Sequence, residues 1–381
     1  MVNVALLSLL AAQAAGPVAP APGASPPTPD AAAEAQPQPF PSGSYNVGTP
    51  GGIPIGKLML LPEIAVVMDG ALGYTTLSTG QQDLTADPVP QHKAWPMLQE
   101  VELAFQATVD PYVRGDVFLT FTPGGVAVEE AYLQTLSLPW GLQAKAGQIY
   151  SPFGRTSQLH RHQWTFVDQP LSMQRLVGAE GLSGAGGDLS WLVPLPWFAE
   201  LHLAYQATLP GFEEGQPQLT GVARLIQFLD LSDSATLGVG LSWALFQAEA
   251  PEQWKNLAGA DLYVKFRDPA SRSSVVLQGE VYGRQLGGQS FGEARWGGYG
   301  QAVWRIDRNW EVGARYDNAP APVAFAGGTQ ETWTALGSYY TSEFFRVRIQ
   351  PSLVLLPEGQ DGFQGLLTFE FTIGAHAAHP F

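Results

Sequence analysis

The sequence lacks cysteine and carries little charge. The absence of cysteine among its 381 residues excludes a disulfide framework and thiolate metal ligands. Only 14% of the residues are charged, whereas about 25% is typical of a soluble domain. The net charge of -15 argues against nucleic acid as a partner, because nucleic acids are bound through excess lysine and arginine. No apolar run of about 18 residues follows the start of the chain, so the sequence predicts no transmembrane helix.

Recognisable catalytic signatures are also scarce. Neither an H-E-x-x-H string nor a Walker pattern occurs. Glu129 and Glu130 are adjacent acids, but consecutive residues of a strand point to opposite faces, so we do not expect them to act as a pair. We therefore predict that the protein is not an enzyme, with no catalytic residues and no cofactor.

Glycine and aromatic residues are abundant, and residues 295–317 show how they are arranged. The chain has 43 glycines, and 11% of its residues are aromatic. Alternate positions in this stretch form an apolar face with Trp304 and Trp310 and a polar face with Arg305 and Arg315. A two-residue period indicates strands, and Asp307–Asn309 has the composition of a turn. The stretch therefore predicts a β-hairpin with one apolar face.

The same alternation recurs along the chain and predicts about 16 strands, which is within the range of outer-membrane barrels. The predicted strands are Glu63–Thr75, Met97–Val109, Tyr112–Phe121, Val126–Thr135, Leu142–Ile149, Leu182–Val193, Trp197–Thr208, Leu219–Leu229, Ala235–Phe246, Ala258–Phe266, Ser273–Gly283, Arg295–Ile306, Trp310–Tyr316, Thr332–Tyr340, Phe344–Leu355 and Phe363–Ile373. The predicted fold class is all-β, an antiparallel transmembrane β-barrel.

The connections between these strands alternate in length. Turns such as Asp268–Arg272 and Asp307–Asn309 are short, whereas Leu77–Pro96 and Ser151–Gly181 are long. Short periplasmic turns and longer external loops are typical of bacterial outer-membrane barrels. The pattern therefore places both chain ends on the periplasmic side. A soluble sandwich gives no reason for such alternation.

The beginning of the chain differs from the rest. Residues 1–15 are apolar and end in a small-x-small pattern, which predicts a secretory signal peptide. Residues 16–58 are rich in proline and alanine and predict a disordered linker, either a simple spacer or a periplasmic tether. The barrel is predicted over residues 59–381. The alternative for the first segment is the short apolar terminus of a cytosolic protein.

Two features carry a resemblance to a known family. The string G-A-R-Y-D at Gly313–Asp317 is close to a late-strand pattern of porins, and the parity of the last strand reaches Phe381. Over residues 60–381 the chain resembles the superfamily of general and phosphate-selective outer-membrane porins. The resemblance implies the outer membrane of a Gram-negative bacterium, contact with its lipid, small hydrophilic solutes and a homotrimer. It also implies that the third external loop, here Ser151–Gly181, folds into the barrel and narrows it.

The long third loop contains the densest group of polar residues, His160-Arg161-His162. Two histidines with this spacing suit a metal ion, with Asp168 as a conceivable third ligand, but two ligands alone do not make a site, and we predict no metal. We expect the loop to line or anchor a pore constriction, or to be pinned by packing of its aromatic residues. The predicted constriction residues are Arg155, His160, Arg161, His162, Asp168 and Arg175.

Charged residues on the inward-facing parity predict a water-filled lumen. The predicted wall residues are Arg114, Asp116, Lys145, Arg224, Glu280, Arg295, Arg305, Arg315 and Arg348. Pairing of these cations with wall acids is the simplest arrangement. No arginine ladder of fixed spacing occurs, which argues against phosphate selectivity, and the excess of acids tilts the prediction weakly toward cations.

These observations predict an outer-membrane channel for diffusion of small hydrophilic solutes or ions, narrowed by residues 151–181. The alternatives are a substrate-specific receptor or transporter, a barrel with an enzymatic or structural role, and a secreted soluble β protein. A TonB-dependent receptor needs a plug and about 22 strands, for which the chain is too short.

Overall fold

The structure is a computed structural model that describes residues 62–82, 89–178, 181–208, 218–247, 254–271, 273–285, 293–321 and 327–374. The predicted signal peptide, the predicted linker and Phe381 lie outside the described residues. Among the helices of the described ranges, none is long and apolar enough to cross a membrane.

Sixteen antiparallel strands form one closed barrel in which each strand pairs with its neighbours in sequence and β1 pairs with β16. The strands are β1 (Glu63–Thr75), β2 (Trp95–Asp110), β3 (Val113–Thr122), β4 (Gly125–Thr135), β5 (Leu142–Tyr150), β6 (Ser183–Leu192), β7 (Phe198–Thr208), β8 (Gln218–Ser232), β9 (Ala235–Gln247), β10 (Trp254–Arg267), β11 (Ser274–Gln285), β12 (Arg295–Arg305), β13 (Trp310–Pro320), β14 (Thr329–Ser342), β15 (Phe345–Leu355) and β16 (Gly362–Gly374).

All the predicted strands are present, which confirms the predicted fold class. The largest differences are extensions, as in β10, which begins at Trp254, and β13, which continues to Pro320. These ends stay paired with a neighbouring strand, because Trp254 pairs with Gln247 of β9 and Ala319 pairs with Gln330 of β14. Hydrogen-bonded pairing between neighbouring strands therefore extends the strands beyond the ends that the alternation of apolar and polar residues predicts.

The two faces of the wall meet different surroundings. Leu241 and Leu262 point outward and are 55% and 51% exposed, whereas Glu280 and Arg348 point inward and are 1% and 0% exposed. An apolar outer surface with charged groups inside is the arrangement expected of a barrel in lipid. Trp304 and Trp310 also face outward, on either side of the β12–β13 turn, where an aromatic girdle is expected.

Strand β4 departs from regular alternation. The pairing of β3 with β4 shifts between Phe118–Glu130 and Leu119–Val128, so Glu129 is the extra residue of a β-bulge. Both acids consequently face inward and approach His160, at 3.5 Å for Glu129 and 3.1 Å for Glu130. The prediction that these two carboxylates point to opposite faces is therefore wrong.

Within the described residues, the connections contain two short α-helices, α1 (Thr79–Gln82) and α2 (Leu171–Leu176). Single 3-10 turns occur at Pro139–Gly141, Thr156–Gln158, Arg161–Gln163 and Pro357–Gly359. Helix α2 and two of the turns belong to residues 151–181, which we call the inner segment. Its Phe153 and Met173 are 0% exposed, so the segment is enclosed by the barrel.

Candidate functional site

The inner segment contacts one side of the lumen through apolar side chains. Phe153, Met173, Leu176 and Val177 form a buried cluster with wall residues of β7 to β11. The wall residues, which we call the apolar side, are Ala204, Val222, Ala244, Phe246, Leu257 and Tyr282. The alanines leave room for the larger side chains of the segment, and burial of apolar surface holds the segment against this part of the wall.

A single carboxylate fixes the beginning of the segment. Glu280 on β11 accepts hydrogen bonds from the backbone N–H groups of Arg155 and Thr156, at 2.7 and 2.9 Å. The hydroxyls of Thr156 and Tyr299 donate to the same carboxylate, at 2.6 and 2.7 Å. Gly154 makes this approach feasible, because its φ is +66° and a Cβ would lie 2.7 Å from the Glu280 carboxylate.

Two buried arginines on β15 hold the middle of the segment. Arg346 donates to the carbonyl of His162 at 2.6 Å, and Arg348 donates to the carbonyl of Trp164 at 3.0 Å. Both arginines also bind Glu370, at 2.6 and 3.1 Å. Arg348 reaches Asp69 of β1 at 3.2 Å as well. The segment backbone thus accepts hydrogen bonds from two cations whose charges the wall acids balance.

A second charged anchor follows. The carboxylate of Asp168 lies 2.7 Å from Arg315 and accepts from Gln350 at 2.9 Å. Arg315 is paired with Asp317 at 2.6 Å, and Asp317 accepts the backbone N–H of Leu171 at 2.9 Å. We call the wall groups of the last two anchors the charged side: Asp69, Arg315, Asp317, Arg346, Arg348, Gln350 and Glu370.

The end of the segment is held by Arg175. Its guanidinium donates to the carbonyl of Pro320 and, at 2.8 Å, to the side-chain oxygen of Gln330. The residue follows Met173 on α2, so one short helix joins the apolar cluster to the strand ends of β13 and β14.

The two histidines of the segment meet acids of β2 and β4. Nδ1 of His160 lies 2.7 Å from Glu102 and its Nε2 lies 3.1 Å from Glu130, while Nδ1 of His162 lies 3.3 Å from Glu102. Burial alone would lower the pKa of His160, but the charges of Glu129 and Glu102 and the hydrogen bonds that the imidazole donates to Glu102 and Glu130 raise that pKa well above its usual value. We call Glu102, Glu129, Glu130, His160 and His162 the imidazole cluster.

The six predicted constriction residues all lie in the inner segment, but they do not form one group. Arg155 lies over the ring of Tyr263, 3.9 Å from its centroid, and burial lowers its pKa. Arg161 lies 3.7 Å from Glu100. Asp168 contacts Arg315 rather than the histidines, so it is not their third ligand. The acid nearest to both histidines is Glu102, on the wall.

The predicted wall residues are mostly paired with acids, as expected. Arg114 lies 2.8 Å from Asp116, Lys145 lies 2.9 Å from Glu130, Arg224 lies 2.8 Å from Asp261 and Arg305 lies 3.8 Å from Glu311. Arg315, Arg348 and Glu280 hold the segment, and Arg295 is exposed at the first residue of β12.

Sequence reasoning missed several groups that bind the segment. They are Glu102, Glu129, Glu130, Asp317 and Arg346, and Glu370 pairs with Arg346. Arg346 was identifiable, because it shares strand and parity with Arg348. A G-x-S-x-G string occurs at residues 288–292, in the connection between β11 and β12 and outside the described residues.

Comparison with known proteins supports the fold. No protein-family model matches the chain. An uncharacterised protein of Aquifex aeolicus (strain VF5) is 28% identical over 400 residues, covering 89% of this chain and 83% of the relative. The solved anion-selective porin of Comamonas acidovorans is similar at a TM-score of 0.54 and 11% identity, covering 82% of this chain and 99% of the porin. The outer-membrane channel DcaP of Acinetobacter baumannii is similar at 0.54 and 10%, covering 82% and 97%.

By their descriptions, one of these solved neighbours is an outer-membrane channel and the other is a porin, and the likeness shows the fold. The predicted resemblance is borne out at the level of architecture. The chain has the fold of the outer-membrane porins, a closed antiparallel barrel of sixteen strands.

Proposed function

We propose that the protein is an outer-membrane channel through which small hydrophilic solutes or ions diffuse, narrowed by the inner segment. The observation that carries the proposal is the enclosure of this segment within a wall that is charged inside and apolar outside. A wall of this kind suits lipid on one face and water on the other. The names of the similar structures, a porin and a channel, point to the same activity.

The path for solutes is narrow in this proposal. The segment is fixed to β11 at its beginning, to β15 and β13 at its middle and to β14 at its end. A segment fixed at these points leaves solutes only the part of the lumen that it does not fill. Ion preference then depends on the charges that border this passage.

The test is single-channel conductance of the detergent-purified protein in a planar bilayer with a salt gradient. We expect stepwise insertions with a steady conductance, and the reversal potential gives the charge preference. A barrel that folds reproducibly without conducting would contradict the proposal and would mean that the segment closes the lumen.

The arginines of the segment give a sharper prediction. Replacement of Arg155, Arg161 and Arg175 by glutamine removes three positive charges from the segment, so we expect the reversal potential to move toward cation selectivity. Arg308→Gln is the matched control, because Arg308 is exposed in the turn between β12 and β13. An unchanged reversal potential in the triple variant would remove the segment from the pore.

The homotrimer belongs to the same proposal. It is a usual assembly of the porins that the sequence resembles, and chemical cross-linking in outer-membrane vesicles tests it. A trimer band that survives dilution in detergent is the expected result, and a monomer at every cross-linker concentration would contradict it.

A further inference from the structure

The imidazole cluster brings four potential metal ligands to one place inside the barrel. Oε2 of Glu102 lies 2.7 Å from Nδ1 of His160 and 3.3 Å from Nδ1 of His162. Oε2 of Glu129 lies 3.5 Å from Nδ1 of His160. The Glu102, His160 and His162 ligand atoms are all within 4.8 Å of one another and all three residues are buried. Imidazole nitrogens and carboxylate oxygens are ligands of zinc and of similar divalent ions.

Both ring nitrogens of His160 face carboxylate oxygens, at Nδ1 toward Glu102 and at Nε2 toward Glu130. A neutral imidazole carries one proton, so one of these nitrogens presents a lone pair to a carboxylate. That contact is repulsive unless a second proton or a metal ion lies there. A histidine that donates its other N–H to a carboxylate is the usual outer arrangement of a metal-bound imidazole.

The surroundings orient the ligands. Glu130, which faces Nε2 of His160, also accepts from Lys145 and from the backbone N–H of Tyr150, each at 2.9 Å. The hydroxyl of Tyr150 donates to Oε1 of Glu129 at 2.7 Å. Oε2 of Glu129 therefore points to the cluster, and within the described residues no hydrogen-bond donor reaches it. The β-bulge in β4 is what allows both acids to take part.

The charges of the cluster leave a place for a divalent cation. Lys145 balances Glu130, and Arg161 lies near Glu100. In the part of the chain that the structure describes, the ion-pair partners of Glu102 and Glu129 are imidazoles alone. Oε1 of Glu102, a residue 1% exposed, also lacks a hydrogen-bond partner there. Once a metal ion displaces the protons of the metal-facing imidazole nitrogens, the carboxylates of buried Glu102 and half-buried Glu129 match the charge of one divalent ion.

We propose that Glu102, Glu129, His160 and His162 bind a divalent transition-metal ion of the zinc type, with two nitrogen and two oxygen ligands. Bond lengths of about 2.0–2.2 Å at tetrahedral angles place ligand atoms about 3.4 Å apart. The separations of 3.3 Å and 3.5 Å already have this value. The 2.7 Å contact between His160 and Glu102 needs to widen by about 0.7 Å to reach the tetrahedral value, a small rotation of one carboxylate. The site does not require that the barrel conducts.

The direct test uses Zn²⁺ and Co²⁺ alone as probes, on tag-free protein purified in detergent with a chelator and then dialysed. We expect one Zn²⁺ retained per chain, measured by elemental mass spectrometry. We also expect visible ligand-field bands of four-coordinate Co²⁺ that Zn²⁺ abolishes. A protein that retains no Zn²⁺ and gives no such bands overturns the proposal.

Substitutions of the proposed ligands test whether the ion binds at the imidazole cluster. The double change His160→Ala and His162→Ala should abolish binding, and Glu130→Gln should weaken Zn²⁺ affinity about 10–100-fold, as expected for a group that orients a ligand. His202→Gln is the matched control, because His202 is also buried between two acids, Asp188 at 2.9 Å and Glu200 at 3.4 Å, without a second imidazole. It should bind Zn²⁺ as the unchanged protein does.

Circular dichroism and a cooperative unfolding transition of the double histidine variant establish that its loss of binding is not a loss of fold. If the double histidine variant misfolds, the Co²⁺ bands of the unchanged protein and the graded effect of Glu130→Gln still decide. Retention of one Zn²⁺ by a folded double variant overturns the proposal, because the ion is then bound elsewhere.

Discussion

The apolar side and the charged side of the lumen hold the same segment by different physics. On the apolar side Phe153 and Met173 pack against alanine, valine and phenylalanine side chains. On the charged side Arg348 and Arg315 bind segment backbone and Asp168 through hydrogen bonds and ion pairs. Apolar contacts depend on volume, whereas the charged contacts depend on each partner being present. The charged side should therefore be the less tolerant of substitution.

The largest expected effect is on the charged side. Arg348→Met leaves Asp69 and Glu370 with less compensating charge and leaves the carbonyl of Trp164 without this donor. Loss of one partner from a buried ionic network costs about 3–5 kcal/mol. We expect this decrease in the free energy of unfolding, measured by urea titration in detergent, with a larger and noisier single-channel conductance. Arg295→Met, at an exposed position, should change neither the free energy of unfolding nor the conductance. An equal loss of stability in that variant would contradict the expected intolerance of the charged side.

Met173 tests the apolar side. The side chain is 0% exposed in the cluster with Phe246 and Leu257, so Met173→Ala should cost about 2–5 kcal/mol of unfolding free energy. Met173→Leu conserves volume and should cost less than about 1.5 kcal/mol. Equal losses in the two variants would show that the sulfur or the exact shape matters, and that this side is no more tolerant than the other.

Replacement of Gln350 should give the smallest loss of unfolding free energy. It compares a neutral hydrogen-bonding anchor with the charged anchor Arg348. Gln350 accepts the backbone N–H of Val167 at 2.7 Å and donates to Asp168 at 2.9 Å. Gln350→Leu leaves a buried N–H unsatisfied, for which about 1–3 kcal/mol is expected. Thermal and urea unfolding should place this variant between the unchanged protein and Arg348→Met. A loss as large as that of Arg348→Met would mean that hydrogen bonding rather than charge sets the intolerance.

The fold was predictable because the alternation of apolar and polar residues identifies each strand from its own sequence. Outward residues such as Leu241 and Leu262 follow a two-residue period, and the barrel adds only the pairing of neighbours. The bulge at Glu129 was not predicted. Its signal is a change of parity: Val126 and Val128 are exposed at even positions, whereas Leu133 is exposed at an odd one. A change of face within one strand requires an extra residue.

The site was predictable only in part. The position and aromatic content of residues 151–181 indicated a segment inside the barrel, and His160 and His162 were singled out. Their partners were not, because Glu102 and Glu130 lie on strands far away in sequence, and no local pattern states which part of the wall a loop will meet. The pairing of Asp168 with Arg315 instead of the histidines has the same cause.

The seam between β1 and β16 has a consequence for biogenesis. The hydroxyl of Thr75 donates to the carbonyl of Phe363 across this seam, although the two residues are 288 positions apart in the chain. Synthesis releases β1 first and its partner last, so both sheet edges stay unpaired until the chain is finished. Unpaired edges join the edges of other chains, and contacts between distant residues form slowly. Assembly therefore follows synthesis, and a partner that shields β1 during the delay would limit aggregation.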